Sequence, residues 1–96
     1  MGLTNCSHAW DYDVEAFVAV TLRGAGGVRL TRELRIPPHG TWYGPVDRLF
    51  PEAAAVLRHP AGTGLLVVDP RNVATLGAQF FHVQRATGHF SSEHTL

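Results

Sequence analysis

The sequence predicts an α+β fold: a mostly antiparallel sheet in ββαββ order with one main helix packed on one face. Three observations carry that expectation. Residues 14–36 alternate apolar and polar side chains on both sides of a glycine-rich break. A proline-initiated helical spacing of apolar residues follows over 51–58. Two later runs, 64–68 and 78–85, have the length and the β-branched or aromatic content of strands.

Met1 to Asp13 is polar and without period, so residues 1–13 read as a flexible N-terminal arm. Trp10 and Tyr12 are the groups that would pin it to the sheet or to a neighbouring subunit, because aromatics bury large area. In the first strand Val14, Ala16, Val18, Val20 and Leu22 alternate with Glu15, Phe17, Ala19, Thr21 and Arg23. In the second, Val28, Leu30, Leu34 and Ile36 alternate with Arg29, Thr31, Glu33 and Arg35. Successive strand residues point to opposite faces, so each strand offers one aliphatic side for packing and one for water. Gly24-Ala25-Gly26-Gly27 supplies the positive φ of the hairpin connection. Arg32 falls on the aliphatic parity, which a bulge, an edge position or an inward functional guanidinium would each explain.

Pro37 to Pro45 is a loop, because three prolines remove donors and fix φ. Val46, Leu49, Phe50, Ala53, Val56 and Leu57 then recur at helical spacing. Pro51 divides them into a turn near 46–50 and a helix over 51–58, with Glu52 in its first turn and Arg58 and His59 in its last. Pro60 and Gly62 end that helix. Gly64 to Val68 is aliphatic on both parities and reads as a central strand buried on both faces. Asp69-Pro70-Arg71-Asn72 has proline where a type I turn wants it. In 73–86 a helix capped by Asn72 competes with a strand over Ala78–Arg85. The strand is preferred, because Gly77 would sit inside the helix. One domain over 14–86 and a polar C-terminal tail over 87–96 complete the expected organisation.

Composition narrows function mainly by exclusion. The chain of 96 residues is 45% hydrophobic and 17% charged, which is a globular balance. All eight basic residues are Arg, matched by eight acidic ones, so no bulk field attracts nucleic acid or an anionic membrane. The absence of Lys removes side-chain amines for Schiff-base or general-base chemistry and fits the codon bias of a GC-rich bacterial genome. A single Cys6, no signal-like opening and no apolar run of spanning length point to the cytoplasm.

No motif assembles a reaction. The glycine stretches at 24–27 and 62–64 match neither the dinucleotide nor the phosphate-loop pattern. Cys6-Ser7-His8 and Ser91-Ser92-Glu93-His94 lie in terminal segments without a nucleophile turn. Asp13 and Glu15 read as a solvated strand entrance. His82, His89 and His94 near the end, with Cys6 and His8 near the start, are metal-ligand types that could converge, but their spacing fits no compact zinc motif, so no metal and no cofactor is expected. The stiff loop carrying His39, Trp42 and Tyr43 is the best recognition segment. Its alternative role is structural, with Trp42 folded back on the core.

These readings lead to a small accessory protein that binds another protein, most simply itself as a homodimer, without catalysis of its own. Trp10, Phe17, His39, Trp42 and Tyr43 would supply the contacts. The alternative is a small-molecule site or minor enzyme with a pocket between the 37–45 loop and the sheet, where His39, Tyr43 and Arg32 would act. Metal binding by the terminal histidines is third. Nucleic acid, which Arg23, Arg29, Arg32 and Arg35 with Phe17 as a stacking platform could bind, is disfavoured because Glu15 and Glu33 share that hairpin face.

Overall fold

The computed structural model describes residues 1–24, 27–57, 64–73, 76–84 and 89–95, the strand segments 81–84 and 89–95 as backbone only. The elements are β1 (Gly2–Thr4), β2 (Ala16–Gly24), β3 (Arg29–Ile36), β4 (Thr41–Tyr43), α1 (Val46–Leu49), α2 (Ala53–Val56), β5 (Gly64–Pro70), β6 (Gly77–Gln84) and β7 (His89–Thr95). The strands form two antiparallel sheets, one in the order β4-β1-β6-β7 and one in the order β3-β2-β5. The architecture is therefore mostly antiparallel sheet with two short helices, and it replaces the expected ββαββ order.

The hairpin of β2 and β3 pairs one-for-one from Ala16 opposite Ile36 to Arg23 opposite Arg29, with no bulge. Its turn closes through Gly27 N–H to Gly24 O (3.1 Å) and Gly24 N–H to Val28 O (2.8 Å), with Gly27 at φ 84°. Ala25 and Gly26 lie outside the described residues. The aliphatic parity turns inward as the alternation requires: Val18, Val20 and Leu22 are buried, Leu30 and Leu34 partly so. They share one core with Leu3 and Ala78 of the other sheet and with Phe50 and Ala53 of the helical segment. Arg32 takes the edge explanation. β3 borders its sheet, and the Arg32 guanidinium reaches past the edge to Glu52 (2.8 Å) and over the Phe50 ring (5.4 Å).

Phe50 breaks the helix in two. As the residue before Pro51 it is driven out of the α region, to φ −123° and ψ 84°, and its wholly buried ring plugs the core. The turn expected near 46–50 is α1, and of the helix expected over 51–58 the described residues form a single turn, α2; Arg58, His59, Pro60 and Gly62 lie outside the described residues. Gly24 and Gly64, paired across β2 and β5, let that turn close on the sheet. A Cβ on Gly24 would stand 2.7 Å from Val56 O, and one on Gly64 2.5 Å from Leu57 Cδ2.

Both ends of the chain depart from expectation. Residues 2–4, read as part of a loose arm, are β1, an interior strand held between β4 and β6 with Leu3 fully buried. Residues 89–95, read as part of a polar tail, are β7, the partner of β6. Three residues are too few to show a period, and a polar strand shows none, so only long-range pairing reveals them. β6 occupies 77–84, close to the strand expected over 78–85. The segment 37–45, expected as a loop, contains β4, because Thr41–Tyr43 pairs with β1 between the prolines; β5 is a further correction. It is an edge strand rather than a central one, and Leu65 and Val67 on its outer side are 57% and 40% exposed.

Candidate interaction surface

The outer face of the β3-β2-β5 sheet is laid out in rows by its register. Arg35 pairs with Phe17, and Arg71 N–H donates to Phe17 O (2.8 Å), giving the row Arg35–Phe17–Arg71. The next rows are Glu33–Ala19–Asp69, Thr31–Thr21–Val67 and Arg29–Arg23–Leu65. Pro70 cannot extend the ladder, and the Asn72 side chain does so instead. Its Oδ1 accepts from Phe17 N–H (2.8 Å) and its Nδ2 donates to Glu15 O (2.8 Å).

Ala19 is the only small side chain in the middle of this face, and its neighbours leave it 4% exposed. Above it lies a concavity of about 480 Å³ lined among others by Phe17, Ala19, Glu33, Arg35 and Arg71. The Arg35 guanidinium lies 5.0 Å from the Phe17 ring centroid, and Arg71 Nε lies 3.2 Å from Asp69. Phe17 is itself 40% exposed. The face thus combines an aromatic knob, a small-residue hollow and alternating charged rows, beside the two exposed aliphatic residues of β5. Register arithmetic on the sequence gives these rows once the β2–β5 pairing is known; the pairing has no local signal.

No family model, curated protein or solved structure matches this chain.

The other residues singled out above are spread over separate elements. His39 sits exposed at the turn between β3 and β4 with φ 60°, its N–H donating to Asn5 O (2.7 Å) and its ring edge-on to Tyr12 at 5.7 Å. Arg32 engages Glu52 and Phe50 instead, and neither residue is among those lining the outer-face concavity. Trp42, opposite Leu3 in the register, is half-buried against the core, the structural alternative weighed for it. Tyr43 is 65% exposed on the other side of the strand, lying over Gly2. Trp10 is 94% exposed. His82, His89 and His94 are on β6 and β7, where the register puts His82 and His89 at positions of one face and His94 at the opposite parity. Their side chains lie outside the described residues, and among those described no three His, Cys, Asp or Glu groups gather as a metal site.

A polar residue that sequence reasoning passed over organises the chain's other end. Asn5 is fully buried, its Nδ2 donating to Val14 O (2.7 Å) and Ile36 O (3.0 Å) and its Oδ1 accepting from Tyr12 Oη (2.6 Å). Nearby the Met1 amine donates to Gly44 O (2.9 Å), and burial lowers its pKa below the ordinary value.

Proposed function

We propose that this protein is a non-catalytic interaction module that binds another polypeptide through the outer face of the β3-β2-β5 sheet, on an α+β scaffold working in the cytoplasm. One observation carries the reading: β5 is aliphatic on both parities, yet the fold covers only one of its faces. Leu65 and Val67 stay exposed on the other, with Phe17 exposed on β2 across the Ala19 row, and Arg23, Arg29, Arg35, Glu33 and Asp69 interspersed among them. Exposed apolar groups set among charged ones are a usual composition of a protein contact, where the apolar groups supply burial and the charges supply orientation. Placement argues against a reaction as the main role, since His39, Arg32 and Tyr43 are held by different elements.

The test is a photo-reactive amino acid placed at Leu65 or Val67 in the native host, with the exposed Ala54 of α2 as the control. Covalent adducts from both β5 positions and not from Ala54 are expected. Adducts no more frequent at β5 than at Ala54 refute the reading. A second reading rests on the concavity over Ala19, where Arg35 and Arg71 beside Phe17 would suit a small organic anion. Its sign would be saturable binding of an aromatic carboxylate that Arg35→Ala abolishes.

A further inference from the structure

We infer that the partner at this face is a second copy of the chain, packed against it about a two-fold axis that runs across the strands between the Phe17 and Ala19 rows. The inference rests on the interaction reading above and adds its occupant and geometry. An isologous contact requires one patch to complement itself, and the rows decide which two-fold can satisfy that requirement. Turning the sheet about an axis along its strands keeps each row at its own height. Arg35 would then meet Arg71 of the partner subunit, and Glu33 would meet Asp69 of the partner subunit, like against like. Turning it about an axis across the strands exchanges the two rows. Arg35 then faces Glu33 of the partner subunit, Arg71 faces Asp69 of the partner subunit, and Phe17 faces Ala19 of the partner subunit.

Shape agrees with charge. Phe17 is the exposed knob of its row, and the concavity over Ala19 is the hollow beside it. The axis seats each ring in the opposite hollow and brings the two rings side by side, as offset aromatic pairs prefer. The flanks follow the same polarity. Asp11, Asp13 and Glu15 precede β2 and Arg23 with Arg29 closes it, so antiparallel β2 strands set acidic ends against basic ends. Packed sheets cross at about 30°, so the corners diverge and the two central rows carry the contact. A face three strands wide is small for an interface, which predicts a weak, reversible dimer rather than a permanent one.

Sedimentation velocity of the full chain, from about 1 μM to about 1 mM, tests the inference, that span covering weak reversible association. A concentration-dependent monomer–dimer equilibrium is expected. Arg35→Glu and Glu33→Arg should each weaken it at least tenfold, by setting like charges across the axis. The combined Arg35→Glu/Glu33→Arg chain should return to within about threefold of the original, since the pair re-forms with its signs exchanged. Ala19→Trp fills the hollow and should leave monomer, with thermal melting confirming that each variant folds. A chain that stays monomeric across the range overturns the inference, as does a dimer indifferent to the charge exchange. The photo-adducts separate this failure from that of the broader reading. Adducts of other mass at Val67, in the row beside Ala19, without self-adducts remove the second copy and keep the interaction face, and none at all removes both.

Discussion

Replacing Asn5 by Ala should cost far more than its place in a polar N-terminal segment suggests. The substitution removes three hydrogen bonds at once, to Val14 O, Ile36 O and Tyr12 Oη. It leaves the Ile36 carbonyl without its side-chain partner in a site closed to water, since Asn5 and Ile36 are both fully or almost fully buried. At about 1 kcal/mol net per bond, with a further penalty for the abandoned acceptor, the loss comes to roughly 3–4 kcal/mol. A domain of this size has about 5–14 kcal/mol in total. The melting temperature should therefore fall by roughly 12–25 °C. Tyr12→Phe deletes one of the three bonds at a half-buried site and should cost only about 1 kcal/mol. Because the two changes share a bond, Asn5→Ala/Tyr12→Phe should be less destabilised than the sum of the singles, by about 1 kcal/mol. Urea unfolding of the four chains measures all of this. A loss below about 1 kcal/mol for Asn5→Ala, or strict additivity, would show that the amide does not hold these segments together.

Three further perturbations probe other parts of the fold. Gly24→Ala drives a methyl to 2.7 Å from Val56 O, so α2 must move off the sheet, and calorimetry should record a loss of about 1–3 kcal/mol; an unchanged melting temperature would contradict that close approach. Arg32→Ala should cost more than Glu52→Ala, because it removes the stacking over Phe50 as well as a part-exposed ion pair worth about 0.2–1 kcal/mol. Raising salt should shrink the Glu52→Ala effect, and equal losses from the two variants would count against the stacking. His39→Gly relieves a left-handed residue at φ 60°, so stability in urea should be unchanged or higher by up to about 1 kcal/mol despite the lost Tyr12 contact. A clear loss would mean that the imidazole contact outweighs the strain.

The hairpin was legible because its information is local: nine residues of alternation in β2 and eight in β3 settle which side faces inward. Phe50-Pro51 was legible for the same reason, the proline acting on its immediate neighbour. What sequence could not supply was pairing at a distance. Gly2-Leu3-Thr4 has no period of its own and becomes a strand only because residues 41–43 and 77–79 flank it. Asn5 looks like any polar residue until Val14, Tyr12 and Ile36 converge on it. The candidate surface was half visible. The outer parity containing Phe17 and Ala19 follows from alternation, whereas the Arg71 and Asp69 flank depends on which strand lies beside β2. Gly64–Val68 misled in an informative way. Apolar residues on both parities suggest two covered faces, yet Leu65 and Val67 on the outer parity of β5 stay exposed.

The position of β1 sets a timetable for folding. Leu3 leaves the ribosome long before Ala78, yet each is a rung of the other's ladder, and Trp42 on the far side arrives between them. The β2–β3 ribbon, whose two halves are adjacent in the chain, can close early, whereas the four-stranded sheet must wait until almost all of these residues have been synthesised. Until then the apolar side chains of Met1 and Leu3 lack the strand that completes their cover, and a nascent chain in that state has surface open to association.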